Sequence, residues 1–381
     1  MSGSFTAKQQ RDFLERGFSR RDFGRLATLL TAGATLPFYN EAALAQLSAL
    51  GKLPPDAVKI NGNENPLGPC QQAREAMYRM VNEGGRYNYG LTEELAQTAA
   101  EQEGVPRDHV MPFAGSSDPL HRVILAFTSP SRSLVMAEPT YEAAEGAAGY
   151  IGARVVRVPL TKDHRHDLEA MAKVEAGAGV IYVCNPNNPT GTMTPRASIE
   201  RLLAYKPKGA IVLLDEAYIH FTTAPRCSDL VAAGKDLILL RTFSKIYGMA
   251  GLRAGLAMGR PDLLEKIRMY AAGGLTVTGM IGATASLKAQ GLVEERRKIN
   301  KDVRDGVFDF LAKRNFSFIP SESNKFMLDV KRPGQQVAQA LAAEKVYIGR
   351  VWPCWPTHVR VTVGTPEEMG KFQAALLKVM G

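Results

Sequence analysis

The chain has 381 residues, 45% hydrophobic and 22% charged, proportions that exclude wholesale disorder. That length suggests two to three domains and a core large enough to need no disulfide or metal staple. The net charge of +9 comes from 47 basic and 38 acidic residues scattered along the chain, with no polybasic run to call for nucleic acid.

The first 45 residues differ from the rest. A polar start ends in Ser19-Arg20-Arg21-Asp22-Phe23-Gly24-Arg25, a mildly apolar stretch (26–38) is broken by Pro37, and Ala43-Leu44-Ala45 gives a small-x-small pattern. This is the three-part layout of an export signal. The paired arginines followed by Phe resemble a twin-arginine signal, with Gly24 in place of the usual Leu. The expectation is an exported, periplasmic protein; the alternatives are a helical arm packed on the body and a cytoplasmic location. The apolar stretch is too short to span a bilayer, so no permanent membrane anchor is expected. The segment holds six basic and four acidic residues, so a processed chain would carry 9 − 2 = +7.

Further on, Thr92 is a plausible N-cap for a helix running towards Gly104. Strand-length apolar runs follow at 134–137, 153–158, 179–184, 211–214 and 237–240, separated mostly by helical patterning. Alternation of this kind predicts an α/β fold with a mostly parallel sheet flanked by helices. Ligands of such sheets sit beyond the carboxyl ends of the strands, so the residues after each run are the candidates. They are Asn185-Pro186-Asn187-Asn188-Pro189-Thr190-Gly191, then Asp215-Glu216-Ala217-Tyr218, then Thr242-Phe243-Ser244-Lys245 and, shortly after, Gly251-Leu252-Arg253. Ala114-Gly115-Ser116-Ser117-Asp118-Pro119 reads as a loop entering a helix, an anion-binding terminus. Cys70, Cys184, Cys227 and Cys354 show no metal spacing. Asp163-His164-Arg165-His166-Asp167 reads as a solvated turn before a helix, and no metal is expected.

These motifs, in this order, resemble the aspartate-aminotransferase superfamily of class I/II pyridoxal-phosphate enzymes. Asn61-x-Asn63-Glu64-Asn65-Pro66-x-Gly68-Pro69, Arg86-Tyr87, Pro139-Thr140-Tyr141 and Val359-Arg360-Val361-Thr362-Val363-Gly364-Thr365 are most similar to histidinol-phosphate aminotransferases. The resemblance implies fold type I. A large cofactor domain would span 86–274 and a small C-terminal domain 275–381, with 46–85 joining the small domain.

It also implies roles. Lys245 would carry pyridoxal 5'-phosphate as a Schiff base and shuttle the proton, a task suited to a partly desolvated amine. Asp215 would keep the ring nitrogen protonated, making the ring an electron sink. Tyr218 and Asn188 would bond the ring hydroxyl oxygen, and Tyr141 would stack on the ring. Ser116, Ser117, Asp118, Thr242, Ser244 and Arg253 would bind the phosphate, with Tyr87 reaching the phosphate of a neighbouring subunit in a homodimer. Arg360, and Arg350 as a second arginine, would bind the substrate's acidic group.

The expected reaction moves an amino group between an amino acid or amine, histidinol-phosphate-like or aromatic, and a 2-oxo acid. The alternatives are decarboxylase or lyase chemistry on the same scaffold and a non-catalytic exported binding protein. Two segments depart from the subgroup. The loop 351–359 is short and holds both tryptophans, Trp352 and Trp355, and Gly273-Gly274-Leu275-Thr276-Val277-Thr278 replaces a Pro-containing stretch.

Overall fold

A computed structural model describes residues 6–23, 53–270 and 274–381. The strands in chain order are β1 (Val58–Ile60), β2 (Val110–Phe113), β3 (Ser133–Glu138), β4 (Val155–Pro159), β5 (Ala178–Cys184), β6 (Ile211–Asp215), β7 (Leu237–Thr242), β8 (Gly255–Gly259), β9 (Ser317–Ile319), β10 (Lys325–Asp329), β11 (Val346–Ile348) and β12 (His358–Thr362).

The large sheet has seven strands in the order β2-β8-β7-β6-β5-β3-β4. Its pairings are parallel from β4 through β7, and only β8 runs against its neighbours. Apolar residues bury both faces of β5, β6 and β7, as a helix-covered parallel sheet requires. All five apolar runs of the sequence are strands. The two strands without such a signal, β2 and β8, are short and interrupted by Pro112 and by terminal glycines.

Register then fixes the site. Cys184 pairs with Asp215, and Asp215 with Leu240, so β5, β6 and β7 end side by side on one edge. The functional loops all leave from that edge.

A second layer covers it. The antiparallel sheet β12-β10-β9 and the parallel pair β1–β11 share a core formed by Val58, Ile60, Val307, Leu311, Phe326, Val361 and Phe372 among others. The helix Pro366–Met380 closes this unit, started by a Thr365–Glu368 capping box with Pro366 at its first position. The boundary expected at 274/275 falls elsewhere. The Val277–Lys288 helix packs on the Gln71–Val81 and Gly90–Glu103 helices, and Ala283 and Leu292 belong to the large core. The small core begins inside the long helix Leu292–Lys313, because its first turns face the large domain and Val307 and Leu311 face the small one.

Thr92 is not an N-cap. The helix starts at Gly90 after Tyr89, and the Thr92 hydroxyl instead contacts Met280 Sδ. Its other end closes at Gly104 in the left-handed conformation.

At the N-terminus, the Ala7–Glu15 helix lies on the large domain. Phe13 and Phe18 are buried there, edge to face at 5.9 Å. Arg16 Nη2 donates to the carbonyls of Leu125 (2.8 Å) and Thr128 (3.0 Å), closing the last turn of the Ser117–Phe127 helix. Arg20 and Arg21 are exposed. The apolar stretch and the Ala43-Leu44-Ala45 pattern lie outside the described residues. Among the described residues no helix is long and apolar enough to cross a membrane.

Candidate active site

The β5 loop is built by its own asparagines. Asn185 trades bonds with Thr194, donating through Nδ2 and accepting through Oδ1. Asn187 Nδ2 donates to the Pro139 carbonyl and to Thr190 Oγ1. Polar side chains thus satisfy a buried loop that has no sheet partner. The result holds Asn188 fixed at the rim of a cavity of about 310 Å³.

Ten of the sequence-derived candidates line this one cavity: Ser116, Ser117, Tyr141, Asn188, Asp215, Tyr218, Thr242, Ser244, Lys245 and Arg253. Asp215 lines it and is buried. Burial pushes its carboxyl above the ordinary range, against a Tyr182 hydroxyl at 3.0 Å, the Ala217 N–H at 3.1 Å and the charges of Lys245 and Lys325. A carboxylate so desolvated is best satisfied by a cation facing it from the cavity.

On the same wall, Lys245 Nζ donates to the Gly62 carbonyl at 3.4 Å and lies 5.6 Å from the Tyr218 ring centroid. Its loop is held by Gly248, whose positive φ of 67° lets its backbone press on Gly68. Tyr218 Oη accepts from Asn63 Nδ2 at 3.1 Å.

The same cavity holds an anion cradle. Ser116 makes no side-chain cap, so the first N–H groups of the Ser117–Phe127 helix are left for a ligand. Arg253 stands in the left-handed region (φ 54°), and Nη1 donates to Ser244 Oγ (3.3 Å) and the Ala250 carbonyl (2.9 Å). Burial weighs against its charge, so an anion beside it would be strongly favoured. Gly115 (φ 90°) leaves the gap that the Arg253 guanidinium fills; a Cβ there would overlap it. A cation-seeking carboxylate, an amine and an anion cradle line one cavity, a donor set that fits pyridoxal phosphate: Asp215 would hold its ring nitrogen, Lys245 its aldehyde and Arg253 its phosphate.

Four candidates lie off the cavity wall. Asp118 turns back to Arg122 in a bidentate ion pair, 2.7 Å at its shorter contact. Arg360 is fully buried just behind the wall, donating to Asn188 Oδ1 (3.0 Å) and the Asn61 carbonyl (2.6 Å). Arg350 is engaged by Glu142 through both carboxylate oxygens and lies 4.2 Å over the Trp352 ring. Tyr87 is 79% exposed and stacks on Tyr89 at 5.5 Å.

Trp352 is buried with Ile319 and Met327, its Nε1 donating to the Thr140 carbonyl; it packs against both arginines rather than lining the cavity. Trp355 packs between His164 and His358. The 163–167 stretch is a turn, with His164 at positive φ and Asp167 capping the Leu168–Lys173 helix. His166 is buried, donating to the Cys184 carbonyl, and burial holds it neutral with a pKa of about 4.

Sequence reasoning passed over Asn63, Tyr182, Glu142 and Lys325. Asn63 lay inside a quoted motif, and its polar run was a usable signal. The other three carry no local signal.

Comparison with known proteins agrees with this geometry. The family "Aminotransferase class I and II" matches residues 55–376. A histidinol-phosphate aminotransferase of Moorella thermoacetica is 32% identical over 333 residues, covering 85% of this chain and 86% of its own. An aromatic amino acid aminotransferase of Cutibacterium acnes is 33% identical over 350 residues, covering 90% and 95%. The structure of histidinol-phosphate aminotransferase from Sinorhizobium meliloti, solved with pyridoxal-5'-phosphate, shares the fold with a TM-score of 0.79 at 24% identity, covering 91% of this chain and 95% of its own. The chain belongs to the class I and II aminotransferase family and is a pyridoxal-phosphate-dependent transaminase.

Proposed function

We propose that the amino donor is an aromatic or histidinol-phosphate-like amino acid or amine, taken up with its acidic group at Arg360, and that a 2-oxo acid is the acceptor. The observation that carries this is the arrangement of the two arginines. Arg360 is aimed at the cavity through Asn188, while Arg350 is closed by Glu142. Arg360, buried and bonded to Asn188 and to the Asn61 carbonyl, is the arginine that touches the cavity wall, which suits a single carboxylate. With Arg350 held by both oxygens of Glu142, that arrangement favours a donor with one acidic group, such as an aromatic amino acid, over one that needs both arginines for a phosphate.

When bound, the cofactor supplies an electron sink for the pair released as the substrate Cα loses its proton. The chain does the rest. Lys245 Nζ takes and returns that proton, being held within the cavity on a carbonyl and largely shielded from water. Asp215 keeps the proton on the ring nitrogen. Tyr218 and Asn188 orient the ring oxygen, Tyr141 covers the ring, and Ser116, Ser117, Thr242, Ser244 and Arg253 anchor the phosphate.

A homodimer is part of the proposal: the exposed Tyr87–Tyr89 stack would reach the neighbouring subunit's phosphate site. So is export. Arg20 and Arg21 stand exposed on an arm docked to a folded body, and twin-arginine transport carries folded proteins, so the cofactor could be loaded first.

The test is a spectrophotometric half-reaction screen of histidinol phosphate, aromatic and acidic amino acids. Conversion to pyridoxamine phosphate with aromatic or histidinol-phosphate donors is expected. A persistent pyridoxal form with CO₂ release sinks the donor assignment in favour of decarboxylation. Light scattering checks the dimer, and fractionation with N-terminal analysis checks export; an uncleaved, purely cytoplasmic chain refutes the latter.

A further inference from the structure

Lys325 opens β10 with its side chain entirely buried. A buried lysine is uncommon and normally has a task. Its Nζ lies 3.0 Å from the centroid of the Tyr218 ring and donates to Ser323 Oγ at 3.1 Å. Tyr218 lines the cavity and Lys325 does not, so the ammonium stands behind the ring. Lys245 Nζ is 5.6 Å from the same centroid, so the two amines are no more than 5.6 + 3.0 = 8.6 Å apart.

We propose that Lys325 is a positioning residue of the active site: seated on the Tyr218 ring, its ammonium fixes the phenol and strengthens its hydroxyl as a donor to the cofactor's ring oxygen. The physical basis is twofold. A cation on an aromatic face is attracted by the ring quadrupole and locks the ring plane. The same charge stabilises negative charge on the phenol oxygen, which already accepts from Asn63 Nδ2.

Other charges meet here too. Tyr218 is faced by Lys245 after β7, by Asp215 at the end of its own strand, by Cys184 from β5 and by Arg360 from β12 through Asn188. Glu64, Tyr141 and Arg253 line the same cavity. Lys325 is the cation nearest the ring among the recorded contacts, and its charge also favours the ionised forms of Asp215 and Cys184, both of which burial pushes the other way.

The inference rests on the cofactor assignment and is tested apart from turnover. The readout is the pH midpoint of the bound cofactor's visible absorbance, without substrate. A nearby cation disfavours the protonated, more positive form, so it lowers that midpoint. Removing it in Lys325→Met is expected to raise the midpoint by about 1.4 units, roughly 25-fold in proton affinity, for unit charges at that separation and an effective dielectric near 20. Lys325→Arg is expected to restore the midpoint. Lys325→Gln keeps a partner for Ser323 and gives the same upward shift if the Met variant does not fold. An unmoved midpoint in a folded, loaded, uncharged variant overturns the role of Lys325 alone. Absence of any cofactor band in the wild type overturns the cofactor assignment with it.

Discussion

Gly115→Ala separates the cofactor's phosphate anchor from every other part of the site. Gly115 has φ 90°, where an L side chain is strained, and a Cβ there would fall on the Arg253 guanidinium. The strain alone costs about 1–2 kcal/mol of fold stability. The clash is not absorbed by a flexible tip, because Arg253 is held at both Nη atoms by Ser244, Ala250 and Ala114. Arg253 must swing out, and a charge-assisted contact worth about 1.5–3 kcal/mol is lost. Cofactor affinity should therefore fall roughly ten- to hundredfold. The assay is absorbance titration of the apoenzyme with pyridoxal phosphate. Gly251→Ala is the control: it lines the same cavity, but a Cβ there meets nothing within 4 Å, so its dissociation constant should stay within about threefold of wild type. Equal affinities for the Gly115 and Gly251 variants would refute the cradle reasoning.

Asp215→Asn keeps the shape of the site but cannot hold the ring proton; the half-reaction rate should drop at least about 100-fold in stopped-flow traces while cofactor still binds. Glu142→Gln releases Arg350 from its ion pair, so KM for donors with a second acidic group should fall, read as a KM change with little change in kcat. Burial pushes Glu103 up, but the charge and hydrogen bonds of Arg241 outweigh it and bring its pKa down to about 2. A carboxylate depressed from the usual 4.5 contributes stability that is complete above about pH 4.5 and is lost as pH falls towards 2, in all about 3 kcal/mol. Denaturant unfolding of Glu103→Gln against wild type should show that gap at pH 7 and a shrinking one below pH 4. Arg241→Met strands the buried Glu216 and leaves Glu103 only its pair with Arg226, and should cost about 3–5 kcal/mol in the same measurement.

The legible part of this molecule is the part written in one stretch of chain. A buried strand followed by a polar loop reads locally, so β5, β6 and β7 and their ends at Cys184, Asp215 and Thr242 could be placed without a structure. Eight of the ten cavity residues hang from those ends or from one helix start, while Tyr141 follows β3 and Arg253 precedes β8. What could not be read are pairings across distant segments. Arg350 looked like a substrate arginine because nothing near it in sequence shows Glu142, 208 residues away. Asp118 looked like a phosphate ligand at a helix start, yet Arg122 one turn later takes both its oxygens. That case was within reach of the i, i+4 rule.

Lys325 shows the limit most clearly. In sequence it is one polar letter at the start of an apolar strand, which ordinarily marks a solvated edge. In the fold, β10 is the middle strand of its sheet, and its first residue meets the Tyr218 ring of the other domain. The charge is buried because two separately folded layers close on it. The same closure brings Arg360 to Asn188 and Asn63 to Tyr218. Lys325 and Asn63, which the sequence did not single out, are thus among the points at which the small domain grips the cofactor site. A substrate that changes the closure of these layers would act on Tyr218 and Asn188 through Lys325, Asn63 and Arg360, which join the layers at the site itself.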